Sequence, residues 1–280
     1  MTGQESDRGV GHADIYRHSL AVRVTHWINV LCLTLLLMSG LQIFNAHSAL
    51  YWGQASDFGR PVLAVGAQLK DEKRVGVTQI LGHPFETTGV LGLSGPAGSR
   101  EERAFPAWIT LPGYQDLATG RRWHFFFAWV FLINGLIYLA SGLLRGHVWR
   151  DLVPSRGQLR HIGRSLVEHL RLRFPRGEEA KHYNVLQQLA YLMVIFLVLP
   201  LIVLAGLTMS PGIDAAFPWL PAVFSGRQSA RTVHFIAAFT LVAFVLVHVL
   251  MVLVSGVWNN MRSMVTGWYR IEPAGEPHGS

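Results

Sequence analysis

Half of the 280 residues are hydrophobic and only 15% are charged, a balance that excludes an ordinary water-soluble domain and places the chain in lipid. The single cysteine, Cys32, lies in an apolar run, which excludes disulfides, thiolate metal clusters and cofactor attachment through a CxxCH pair. The net charge of +7 does not point to nucleic acid, because the basic residues gather beside the apolar stretches, as positive-inside topology requires.

Residues 1–23 carry Glu5, Asp7 and Asp14 and lack an apolar core, so they read as an N-terminal segment and not as a secretory signal. They lead into the first of four stretches long enough to cross a bilayer: Val24–Phe44, Trp123–Leu144, Leu186–Met209 and Thr232–Val257. None of the four contains Asp, Glu, Lys or Arg. The predicted fold is all-α, an integral membrane four-helix bundle with a long periplasmic insertion between helices one and two.

That insertion, residues 45–122, is too long for a bare connection and mixes Gly and Pro with Tyr51, Trp52, Trp108 and Tyr114, so it is expected to pack into a small cap. His47 and His83 fall within it, among Gly and Pro, where surface polar roles are common. The connector 145–185 is basic, with nine Lys/Arg against four acids between Arg145 and Lys181, which assigns it to the cytoplasm. Within it, Leu159, Ile162, Leu166 and Leu170 have the spacing of a helix lying in the membrane interface. Both termini, including the tail 258–280, then share the cytoplasmic side, and the loop 210–231 joins the cap outside.

Four of the thirteen histidines fall inside the spans: His26, His124, His234 and His248. Polar groups in lipid need partners. His234 and His248 are fourteen residues apart, close to four helical turns, so both rings face one way, separated by about 21 Å along the axis. Helix one enters from the cytoplasm with His26 near its start, and helix two enters from outside with His124 near its start. Depth therefore pairs His124 with His234 and His26 with His248. Two neutral imidazoles facing each other, with no carboxylate or thiolate, suit low-spin haem better than zinc or a di-iron centre. Hydrogen bonding between helices is the competing reading for any single histidine.

Gly40, Gly135, Ser141, Gly142 and Gly206 are small residues of the kind that let a flat macrocycle approach the backbone, or that let helices pack closely. Arg23, Arg121, Arg122, Arg231 and Arg262 lie near span ends, placed for haem propionates or as interfacial anchors.

Arg-Val-Thr-His26-Trp at the start of helix one, Ser-Gly40 near its end, Lys181-His-Tyr-Asn184-Val-Leu-Gln187 before helix three and the His234/His248 pair together resemble the bacterial cytochrome b561 family. The family includes membrane subunits of nickel–iron hydrogenases, formate dehydrogenases and thiosulfate reductases. Phe44-Asn-Ala-His47 and Leu50-Tyr-Trp-Gly53 are most similar to the thiosulfate-reductase type. The resemblance covers residues 16–262 apart from the long outer segment. It implies two b haems held by the four histidines, a bacterial inner-membrane location, and electron exchange between the quinone pool and a periplasmic redox enzyme subunit. That partner would be a molybdenum enzyme carrying the substrate site, with this chain as its anchor.

The resemblance makes Asn184 a quinone contact, and Gln187 shares that mouth of the inner site with His182 and Gln188; a helix cap is the plain alternative for Asn184. Two other functions compete: a self-contained quinone oxidoreductase acting on a small species such as superoxide, and a non-redox anchor or transporter. The absence of carboxylates in the spans weakens a proton-relay design.

Overall fold

The computed structural model describes residues 13–144, 154 and 185–271. The connector, with Asn184, His182 and the expected interfacial helix, lies outside the described residues. Four helices are long and apolar enough to cross a membrane: α1 Leu20–Ala46, α2 Leu117–Leu144, α3 Val185–Leu207 and α4 Arg227–Val254. Each begins before the apolar run that announced it, α2 by six residues, because helix geometry continues into the polar interface where capping groups are found, whereas α3 and α4 end two and three residues short of theirs. Asp116 caps α2 with its carboxylate, accepting from the Thr119 N–H at 3.1 Å and the Thr119 hydroxyl at 2.7 Å. These bonds hold the Asp116 carboxyl below the usual carboxylate range.

The third span is not uniform. A π-helical turn, Val194–Val198, interrupts it, and Pro200, which has no N–H to return to the ladder, lies two residues beyond. Two short helical turns, Pro211–Ala216 and Leu220–Val223, connect α3 to α4.

The segment between α1 and α2 departs from an all-α reading. It holds a four-stranded antiparallel sheet in the order β2 (Ala49–Leu50), β3 (Leu63–Lys70), β4 (Lys73–Ile80) and β5 (His83–Glu86). A second hairpin pairs β6 (Gly92–Ser94) with β7 (Glu101–Arg103). Before α1, β1 (Ala13–Tyr16) pairs antiparallel with β8 (Trp268–Ile271), which follows the amphipathic helix α5 (Val257–Thr266).

The chain divides into two compact units. One comprises Trp27–Leu136 and Ile195–Val242. In it, Leu41 and Phe44 of α1 pack with Leu50, Val65, Ala104 and Phe105 of the cap, forming a core that joins sheet to helix. A second cluster, Cys32 with Phe127 and Phe131, holds α1 to α2. The buried guanidinium of Arg103 reinforces the first, donating to the carbonyls of Phe105 (2.7 Å) and Gly113 (2.8 Å) and to the Thr110 hydroxyl (2.9 Å). A buried charge is tolerable where its donors are so satisfied.

The other unit comprises Met1–His26, Ile137–Val194 and Ala243–Ser280. There β1, α5 and β8 are clasped together. Arg262 donates to both Asp14 carboxylate oxygens, at 2.7 and 3.2 Å, and the Asn259 side chain bonds both backbone groups of Arg270, at 2.7 and 2.9 Å. Gly256 in the left-handed region separates α4 from α5, whose Trp258, Met261 and Val265 form one exposed apolar face.

Candidate metal centres

Each unit contains one of the two histidine pairs expected from the sequence. In the first, the rings of His124 (α2) and His234 (α4) have centroids 6.1 Å apart at 66°. In the second, His26 (α1) and His248 (α4) are 6.4 Å apart at 57°.

These spacings test whether a haem iron fits. A metal–imidazole bond of about 2.0 Å, and a ring nitrogen about 1.1 Å from its ring centre, put two trans imidazole centres about 6.2 Å apart. Both pairs match. Among the described residues no group of three or more His, Cys, Asp or Glu could hold a metal ion. A two-histidine site thus suits an iron whose other four ligands come from a macrocycle, and not a tetrahedral zinc site.

The hydrogen bonds of the first pair fix which nitrogen is available. The Nδ1 of His234 meets the Ile202 carbonyl at 2.8 Å, and the Nδ1 of His124 meets the Leu36 carbonyl at 3.2 Å. A carbonyl only accepts, so Nδ1 carries the proton in both rings and Nε2 keeps its lone pair for a metal. Outer-shell acceptors of this kind orient histidine ligands.

The glycines explain how the rings come so near the neighbouring helices. A Cβ on Gly40 would lie 3.3 Å from Cε1 of His124, and one on Gly206 would lie 3.2 Å from Cε1 of His234. The carbonyl that holds each ring belongs to the residue four before the glycine, Leu36 and Ile202. Gly40 and Gly206 therefore seat the histidine itself, a more specific role than admitting a macrocycle. Around Gly135 nothing lies within 4 Å of such a Cβ.

The second pair has an aromatic surround. Phe244, one turn before His248 on α4, stacks on its ring at 6.0 Å and 16°, and Tyr191 of α3 meets Phe244 edge-on at 6.3 Å. Gln187 and Gln188 lie on α3 a turn before Tyr191, with Gln188 buried.

The arginines separate into different roles. Arg231, one turn before His234, donates through both Nη atoms to backbone carbonyls, those of His47 and of Ala49, the latter at 2.9 Å. Arg23, one turn before His26, donates to the Val265 carbonyl near the end of α5. Arg122 is exposed, and Arg121 lies over the Phe125 ring, 5.5 Å from its centroid. Arg262 is committed to Asp14, as described above.

Arg231 belongs to a larger arrangement. Residues 47–53 cross the N-terminal end of α4 in an extended path, and every second carbonyl bonds to it. His47 and Ala49 accept from Arg231, Tyr51 from the Thr232 hydroxyl at 2.7 Å, and Gly53 from the N–H groups of Gln228 and Ser229 at 3.0 and 3.1 Å. The strap thereby caps the helix that carries His234. The His47 ring packs with Tyr51 and Phe58, at 5.8 and 6.2 Å, and burial together with the Arg231 charge lowers its pKa. His83 is exposed on β5.

Sequence reasoning missed the strap, the contact of the Ser39 hydroxyl with His124, and a polar pair within the spans, Asn134 of α2 donating to Asn29 of α1 at 2.8 Å. Asparagines inside apolar stretches were the available signal.

Four membrane-length helices carrying facing histidine pairs define a membrane cytochrome of the b type. The family model for prokaryotic cytochrome b561 matches residues 17–267, and the chain belongs to that family. It is a haem-binding membrane protein of electron transfer. The chain is also similar to a protein of Azospira oryzae named "Putative protein-methionine-sulfoxide reductase subunit YedZ1", with 32% identity over 235 residues, 84% of this chain and 89% of the relative. No solved structure matches it.

Proposed function

We propose that the chain holds two b haems, one between His124 and His234 and one between His26 and His248, and conducts electrons between the quinone pool and an oxidoreductase subunit that it anchors to the membrane. The observation that carries this reading is the spacing of both histidine pairs, 6.1 and 6.4 Å between ring centres, which suits an iron held from both sides. Haem supplies a one-electron couple in each site when bound. The protein's part is to hold each imidazole in one orientation and tautomer, to keep the rings in apolar surroundings, and to bring each site within reach of its redox partner.

In this reading both termini are cytoplasmic in a bacterial inner membrane, and the β-rich segment between α1 and α2 is a periplasmic cap on which a soluble subunit docks. Exposed Trp52, Trp108 and Tyr114 offer aromatic contact area there. The relative's name makes a sulfoxide reductase the first partner to test, alongside the thiosulfate-reductase type that the sequence resembles; a molybdenum enzyme fits either. Arg23 and Arg122 would face propionates at opposite membrane surfaces, while Arg231 would act near the outer one through the strap it holds. Asn184 and Gln187 would border the quinone, on the cytoplasmic side.

The test is quinol-driven reduction of the haems in membranes, followed by reoxidation on adding the soluble subunit and its oxidised substrate. Asn184→Ala is expected to slow haem reduction. Removing 70–103 is expected to abolish reoxidation while reduction survives. Reoxidation that persists in the truncated protein with both haems intact defeats the docking role of the cap.

A further inference from the structure

The two seats for His124 and His234 share a glycine and the carbonyl four residues before it, and differ in the residue that precedes the glycine. The residue before Gly40 is Ser39, and the residue before Gly206 is Ala205, and both are fully buried. The Ser39 hydroxyl donates to the Leu35 carbonyl at 2.6 Å, which leaves its oxygen free to accept. That oxygen lies 3.2 Å from Nδ1 of His124, the same distance as the Leu36 carbonyl. Where His234 has one acceptor at 2.8 Å, His124 has two, and the second is a side chain.

We propose that Ser39 is a positioning residue for His124: it holds the Nδ1–H between two acceptors and so makes the two facing imidazoles electronically unequal. The inference rests on the reading of His124 and His234 as ligands of one haem. An imidazole whose Nδ1–H is drawn toward acceptors is a more basic ligand at Nε2 and favours the oxidised metal. It is also confined in rotation, because turning the ring lengthens one bond as it shortens the other. No charge is involved, so the effect persists in an apolar site where an ionised group would be costly.

Ser39→Ala removes the second acceptor with little change in volume. It is expected to raise the midpoint potential of the haem that is lost when His234 is replaced, and to shift that haem's low-spin EPR signal, with the other haem unmoved. Ser39→Thr should restore both readouts, since threonine hydroxyls in these spans already bond to the carbonyl four residues back, as Thr34 does to Val30 at 2.8 Å and Thr240 to Ile236 at 2.9 Å. Ala205→Ser gives His234 the contact it lacks and should shift the same potential downward.

Full haem content in Ser39→Ala with unchanged outer potential and EPR overturns the proposal. If Ser39→Ala loses the outer haem, the Ala205→Ser potential decides: a downward shift supports the inference, and no shift overturns it. Failure of the underlying reading looks different, because His124→Ala would then retain both haems with unaltered spectra.

Discussion

Cε1 of His234 lies 3.2 Å from the position a Cβ would take on Gly206, so the imidazole rests directly on the backbone of the neighbouring helix. The ring cannot retreat freely, because its Nδ1 is tied to the Ile202 carbonyl at 2.8 Å. Gly206→Ala, and equally Gly40→Ala beneath His124, are therefore expected to displace the ligand and to weaken or abolish the outer haem while sparing the inner one. Gly135→Ala, with open space around its added Cβ, should leave both haems unchanged. Haem content and reduced-minus-oxidised spectra of the three variants check this.

Replacing single histidines tests the pairing. His124→Ala and His234→Ala should lose one and the same haem, and His26→Ala and His248→Ala the other, because each ring faces only its own partner at about 6 Å. Loss of the same haem from the His26 and His234 variants would break the assignment.

The strap makes a prediction about stability. Gly226 has φ of 128° and an added Cβ would lie 2.4 Å from the carbonyl group of Gly53, so Gly226→Ala should be severely destabilising. Ser229→Ala removes the hydroxyl that accepts from the Gly53 N–H at 2.7 Å and should cost about 1–3 kcal/mol if that donor stays unsatisfied. Thermal unfolding in detergent, read at the outer haem, measures both.

The clasp between Asp14 and Arg262 responds to acid. Bonding to Arg262 holds the Asp14 carboxyl below its ordinary value, so its contribution is fully present above the usual carboxylate range and is lost as pH falls through the lowered value. Protection from hydrogen exchange at β8, taken relative to the intrinsic rate at each pH, should thus hold until the pH falls into that range and be lost below it. Asp14→Asn should speed exchange there several-fold at neutral pH, a modest effect because the pair is exposed.

The four membrane-length helices were legible because lipid demands long uncharged stretches, and the facing of His124 with His234 and of His26 with His248 because depth and the fourteen-residue spacing leave few partners. The β-rich cap was not. Its hairpins turn at Asp71-Glu72, with φ of 48° and 61°, and at Leu81-Gly82, with φ of 48° and 86°. The first lacks the Asn or Gly that marks such turns, and Leu81 is an unusual occupant of the left-handed region. The glycine roles were half legible: Gly40 and Gly206 announced a close approach, but only the structure identifies the imidazoles as what approaches. Position alone makes Arg231 a propionate contact or an interfacial anchor; that its Nη donors reach main-chain carbonyls of a segment 182 and 184 residues away is a pairing no local pattern encodes.

Haem stoichiometry of the purified chain, by pyridine haemochrome against protein mass, tests the central claim most directly. Two facing histidine pairs predict two b haems per chain, each removable by replacing either member of its pair. A ratio of one or near zero, in protein made with adequate haem supply, would contradict the account.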